Sequence, residues 1–160
     1  MATRNFVYSM PDGSVRYFMI SDPHVKNLIA SGMTDQEALN SIRAEVVPED
    51  ATNIMQGDET DLPYRGSFRN AWKQDAAVAP VMDMAKARAI KTDQVRVQRA
   101  EKFTKLDTDY MRADEAGNAE GKSAVAAKKQ SLRDMPETIQ SDLAALDIEG
   151  LESFEPTWPE

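Results

Sequence analysis

The chain has 160 residues, a formal net charge of −8, no cysteine and one histidine, His24. That length allows one domain, or a small domain with a helical extension. The acidic balance disfavours attraction of the whole chain to nucleic acid or an anionic membrane. The absence of cysteine excludes disulfides and thiolate chemistry. No apolar run approaches the roughly 18 residues of a membrane span, and the start of the chain lacks the long apolar segment of a signal peptide, so synthesis in the cytosol is expected.

The first element predicted is a β-hairpin. Phe6, Val7 and Tyr8 lead into Pro11-Asp12-Gly13-Ser14, and Val15, Tyr17, Phe18, Met19 and Ile20 return. Aromatic and β-branched residues around an Asp-Gly turn are a strong hairpin signal. Asp22-Pro23 is expected to close the second strand, and Val25 to Ala30 to form a short helical turn ended by Gly32. A second helix starts at Thr34, where Thr34 and Glu37 have the spacing of a capping box. Ala38, Leu39 and Ile42 supply its buried stripe, and Pro48 follows its end. Ala51 to Met55 reads as a short strand. Residues 1–56 thus form a small α+β domain, close to the lower size limit for independent folding.

Residues 57–82 are expected to be an irregular linker. Phe68 and Trp72 lie four apart within it, on one face if that turn is helical. They either anchor the linker to the small domain or form an aromatic docking point for a partner.

Residues 83–117 contain no proline and no internal glycine, and are rich in good helix formers. Asp83 is placed to cap the start and Gly117 to stop the end. The apolar seam is expected mainly in the second half: Val97, Ala100, Phe103, Leu106, Tyr110 and Ala113, with Ile90 one heptad earlier. Asn118 can cap another helix bearing Ala124, Val125, Lys128, Leu132 and Met135, so residues 83–135 read as a helical hairpin. Pro136 is expected to stop or redirect it. Residues 136–160 form an acidic tail with one short helix around Ile139, Leu143 and Leu146, ending in Leu151, Phe154, Trp158 and Pro159. The first half of the long helix is basic, and no basic residue follows Arg133. These are either a solvated face and an acidic tail, or regions that pair within one chain or between two copies. The fold class expected is α+β, mainly α in its C-terminal half.

No catalytic, metal-binding or cofactor-binding constellation is read from the sequence. His24 sits alone after Pro23. Gly117, Gly121, Lys122 and Ser123 approach a phosphate loop, but three residues separate the glycines instead of four and no strand precedes them. Asp58, Glu59 and Asp61 lack the ligand spacing of a Ca²⁺ loop, and Asp107 and Asp109 point to different helix faces. Basic residues interleaved with aromatics are not found, which disfavours single-strand nucleic-acid binding.

Several short motifs occur in a telling order. They are Phe68-Arg69-Asn70-Ala71-Trp72, then Met84-Ala85-Lys86-Ala87-Arg88, then Arg99, Phe103, Leu106-Asp107, Tyr110-Met111-Arg112-Ala113, Glu115 and Gly117, then Lys129-Gln130, Leu132-Arg133-Asp134. With the opening Tyr8 to Val15 segment and the Val47-Pro48 step, this order resembles a group of small proteins encoded in the tail regions of tailed bacteriophages and prophages, over roughly residues 6–134. Leu132, Arg133, Asp134 and Pro136, followed by Trp158-Pro159, also resemble the C-terminal ends of phage tail fibre assembly chaperones. The resemblance implies a non-enzymatic virion structural protein of the tail or tail fibre, made in the host bacterial cytoplasm. The alternative it implies is an assembly chaperone not retained in the mature virion. The partners expected are other phage tail or fibre proteins, or further copies of this chain, with no nucleic acid, membrane, cofactor or small-molecule substrate. The candidate partner contacts are Phe68, Trp72, Phe103, Leu106, Tyr110 and Trp158.

Overall fold

The computed structural model describes residues 4–159. Glu160, counted in the acidic tail, and the first three residues of the 1–56 segment lie outside them. The chain is α+β and divides into two compact units, Met1–Asp83 and Met84–Glu160.

In the first unit, β1 (Arg4–Ser9) is the central strand of an antiparallel sheet, between β2 (Val15–Met19) and β3 (Thr52–Asp58). The expected hairpin forms. Met10 N–H donates to Ser14 O at 2.8 Å, Gly13 N–H donates to Met10 O at 2.9 Å, and Gly13 takes the positive φ of 77° that its turn position requires. Strand alternation then sorts side chains onto two faces. Phe6, Tyr8 and Ile20 pack with Val25 of α1 (Asp22–Ala30) and with Ala38, Leu39 and Ile42 of α2 (Asp35–Val46). Asp22-Pro23 therefore opens a helix rather than merely closing a strand. Proline suits that first turn because its missing N–H would have no helical partner there. The capping box is formed: Glu37 N–H donates to Thr34 Oγ1 at 3.3 Å, and Thr34 N–H donates to Glu37 Oε2 at 2.8 Å.

The opposite face carries Val7 and Val15, and it is covered by the segment expected to be a linker. Trp72 packs on both valines, with Tyr17, Leu62 and Met82 around it. Trp72 begins β4 (Trp72–Lys73), which pairs antiparallel with β5 (Val81–Met82). Residues 57 and 58 of the expected linker extend β3, and residues 59–82 are a second layer of the first unit. Asn53 fixes one edge of that layer. It adopts a left-handed φ of 53°, which asparagine tolerates, beside an irregularity in the β1–β3 register. From there its side-chain N–H donates to Gln74 O at 3.1 Å, while Ser9 Oγ donates to Gln74 Oε1 at 3.2 Å.

The second unit begins with α3 (Met84–Glu115), a helix of 32 residues, roughly 48 Å long. It ends in a Schellman motif at Gly117, whose φ is 66°. Asn118 N–H donates to Ala113 O at 2.8 Å and Gly117 N–H to Asp114 O at 3.0 Å. The Asn118 side chain then caps α4 (Ala119–Thr138), accepting from Gly121 N–H at 2.8 Å. One residue closes one helix and opens the next, which makes the expected helical hairpin sharp. After α4 come α5 (Gln140–Ala145) and α6 (Ile148–Ser153).

Pro136 does not stop α4, which continues to Thr138. Proline cannot donate to the carbonyl four residues back, leaving Leu132 O without its helical partner. Arg99 of α3 supplies the missing donor: its Nη1 lies 3.0 Å from Leu132 O and 3.2 Å from Arg133 O.

Candidate functional site

Burial divides the second unit into a base and an arm. Ala87, Lys91, Thr92 and Val95 are the buried positions of α3. Leu132, Met135, Ile139, Leu143 and Leu151 are buried in the later helices. Between these groups, from residue 96 to residue 131, no side chain is buried. The arm is the distal part of α3 packed on the first turns of α4.

The expected seam is therefore corrected in two ways. The more deeply buried half of α3 is the first. Lys91 and Thr92 belong to its inner face, which a count of apolar residues cannot reveal. Along the expected seam, Phe103, Leu106, Tyr110 and Ala113 are half-buried, but Val97 is 70% exposed and Ala100 is also exposed. At 3.6 residues per turn, Val97 stands about half a turn around the helix from Leu106 and Tyr110, so it shares three- and four-residue spacing with the seam without sharing its face.

Cations clamp the arm's seam. Lys129 Nζ lies 4.8 Å and Lys122 Nζ 5.7 Å from the centre of the Tyr110 ring. The guanidinium groups of Arg99 and Arg133 lie 5.8 and 5.9 Å from that of Phe103. Lys129 also pairs with Asp107 at 2.6 Å, and Lys122 pairs with Asp114. The Asp114 carboxylate raises the Lys122 pKa above its ordinary value. Cation–π contacts contribute about 0.5–1 kcal/mol each at exposed sites and more where the cation is desolvated, as at Lys129, whose side chain is 15% exposed. The arm is thus held by polar clamps around two aromatic rings, where the sequence reading found no interleaving of basic and aromatic residues. Arg99 stands four residues before Phe103 on α3 itself, whereas Lys122, Lys129 and Arg133 come from α4, so three of the four contacts are spatial and not sequential.

Within the basic half of α3, Arg88 is engaged by backbone carbonyls. Arg88 donates from Nε to Leu143 O at 3.0 Å and from Nη2 to Ala144 O at 3.0 Å, closing the C-terminal end of α5. A cation there meets the carbonyls that a helix end leaves without partners and complements its dipole. The tail does fold back: α6 packs on α3, Lys91 Nζ lies 5.9 Å from the Phe154 ring and Lys102 Nζ 5.4 Å from the Trp158 ring.

The other candidate contacts fall elsewhere. Phe68 is fully buried, and Trp72 is 1% exposed, its Nε1 donating to Tyr64 O at 3.1 Å. A buried ring presents no surface, so neither is a docking point. The ring system is closed by Arg69, whose guanidinium stacks 4.0 Å from the Trp72 ring. Trp158 is half-buried and lines a groove of about 560 Å³ with Asp134, Asp142, Phe154 and Glu155.

His24 is exposed on α1. Among the described residues no group of three or more His, Asp or Glu is placed to hold a metal ion, and no helix is long and apolar enough to cross a membrane. Compared with models of protein families, with curated proteins and with solved structures, the chain matches none.

Proposed function

We propose that this chain is a non-enzymatic structural protein of a bacteriophage tail or tail-fibre assembly, acting through protein–protein contacts made by its helical arm. The observation that carries the reading is the absence of any buried side chain from residue 96 to residue 131. Two helices alone cannot enclose a core, and most helical stability comes from tertiary packing of an apolar face. An arm of this kind gains burial when a neighbouring subunit completes it. The order of motifs from Phe68 to Asp134 supplies the phage-tail part of the reading, with Phe103, Leu106, Tyr110 and Trp158 as the remaining candidate contacts. On this reading the protein resides in the virion tail after synthesis in the host cytoplasm.

A second reading is a tail fibre assembly chaperone that leaves before the virion matures. It is favoured by the half-buried Trp158, which lines a groove and leaves part of its ring open to a partner. Quantitative mass spectrometry of purified particles separates the two. The structural reading expects the chain at a fixed stoichiometry to known tail proteins. Its absence from particles, with recovery bound to fibre protein in infected-cell lysate, overturns that reading in favour of the chaperone. The role of the arm is tested by Leu106→Asp, which should reduce helicity and particle incorporation together; unchanged circular dichroism and unchanged incorporation would count against it.

A further inference from the structure

The face of α3 that turns away from its seam carries an uncharged stripe. Val97, Ala100, Thr104, Thr108 and Met111 follow at steps of three, four, four and three residues. At 3.6 residues per turn all five fall within about 80° of the helix surface, over roughly 21 Å. Val97 and Met111 are 70% and 61% exposed, the two most exposed large apolar side chains among the described residues. The threonines do not interrupt the stripe. Thr104 Oγ1 donates to Ala100 O at 3.4 Å and Thr108 Oγ1 to Thr104 O at 3.2 Å, so both hydroxyl protons are held by the helix's own backbone.

We propose that this stripe pairs with the same stripe of a second copy, the two α3 helices running antiparallel about a two-fold axis at Thr104. The inference deepens the arm's role in assembly and rests on that reading. The first support is symmetry. The spacing reads the same in both directions from Thr104, with a large apolar residue at each end. A two-fold axis there sets Val97 at the level of Met111 of the second copy and Ala100 at the level of Thr108 of the second copy. Isologous contacts of this kind require such self-complementarity.

The second support is charge. Glu101 and Lys105 flank the stripe on one side, are exposed, and their side chains make no ion pair or hydrogen bond among the described residues. In the antiparallel register Glu101 lies about two residues' rise, roughly 3 Å, along the axis from Lys105 of the second copy, and the two Lys105 side chains stand side by side at the same spacing between the two Glu101. The pairs Glu101–Lys105 form twice across the axis. In a parallel pair these two charges would instead face Arg96 and Asp107 of the second copy, which are already engaged by Asp93 and Lys129 of their own chain. Electrostatic matching at a rim of this kind sets register and partner choice more than affinity.

The chain has no cysteine, so single-cysteine variants of the full chain report the register directly. Under mild oxidation Thr104→Cys should form a disulfide dimer. Val97→Cys alone should not, because the two copies of that position stand about 21 Å apart in this register, beyond the roughly 7 Å reach of a disulfide. An equimolar mixture of Val97→Cys and Met111→Cys should give the mixed dimer. Sedimentation of the unmodified chain over a concentration series should show reversible dimers, lost in Val97→Asp/Met111→Asp with unchanged far-ultraviolet circular dichroism.

Thr104→Cys remaining monomeric overturns the proposal, as does a parent chain that stays monomeric at every concentration. Equal cross-linking of all three single variants overturns the antiparallel register. Loss of particle incorporation by the double aspartate variant, with no dimer at any stage, overturns self-pairing in favour of a different chain on this face. These measurements on purified protein are independent of particle composition. A cross-linking chain absent from virions sinks the virion reading alone, and a virion component that never cross-links sinks the pairing alone.

Discussion

The sheet of the first unit is covered on both faces, whereas the arm of the second unit is covered on one. In the sheet, Phe6 and Tyr8 enter one packed layer and Val7 the other. In the arm, Phe103, Leu106 and Tyr110 reach only half-burial, and Val97 and Met111 on the far side meet solvent. The difference teaches where the chain's stability is self-contained and where it waits on a neighbour. Two layers against a three-stranded sheet give large side chains a complete set of contacts. Two helices provide a seam and leave the other faces open.

The largest test of this contrast is Trp72→Ala. It should lower stability by about 3–5 kcal/mol, the usual loss for a buried large aromatic, read as a fall in the denaturant midpoint by circular dichroism. A loss under about 1 kcal/mol would mean that the second layer is not a core. Next comes a matched pair in the second unit. Leu132→Ala, at a buried position, should cost about 2–5 kcal/mol, and Leu106→Ala, at a half-buried one, less than half of whatever Leu132→Ala costs. Equal losses would show that the arm is already complete without a partner.

Arg99→Met keeps the stem and removes the donors to Leu132 O and Arg133 O. Hydrogen bonds from charged donors contribute about 1.5–3 kcal/mol, so the unfolding free energy should fall by a comparable amount and the thermal midpoint at the helical band should move down. An unchanged midpoint would mean that water replaces Arg99 at no cost.

The smallest effect expected is at Glu37, whose pKa is lowered by hydrogen bonds from the Thr34 backbone N–H and hydroxyl. A carboxylate held below its ordinary pKa adds stability that is present above the unfolded-state value and lost as pH falls through the folded one. Glu37→Gln keeps a capping amide and removes the charge. The parent should therefore be slightly more stable than the variant at neutral pH, and the gap should close on acidification. A gap independent of pH would assign the effect to geometry instead.

The features legible in the sequence are those fixed by residues close together in the chain. The Gly13 turn, the Thr34–Glu37 box and the Gly117-Asn118 joint each depend on a few adjacent positions, and each stands where it was expected. The second layer over the sheet was not legible, because β4 and β5 are two residues long and acquire meaning only when Trp72 meets Val7 and Val15. The inner face of α3 was read only in part for a related reason. Spacings of three and four select Val97 and Phe103 alike, and only the position of α4 decides which is inside. Lys91 and Thr92 carry no apolar signal, yet they lie inside. The clamps from Lys122, Lys129 and Arg133 were invisible because α4 contributes cations to rings that are distant in sequence.

Pro136 gives α4 an unusual dependence. Up to that point each turn of the helix can be completed by its own backbone, and local sequence is enough to continue it. At Leu132 O the ladder passes out of the helix to Arg99, 33 positions earlier in the chain. The last turn of α4 is therefore tied to α3 by a side chain as well as by packing, so a substitution at Arg99 acts on a helix end far along the chain.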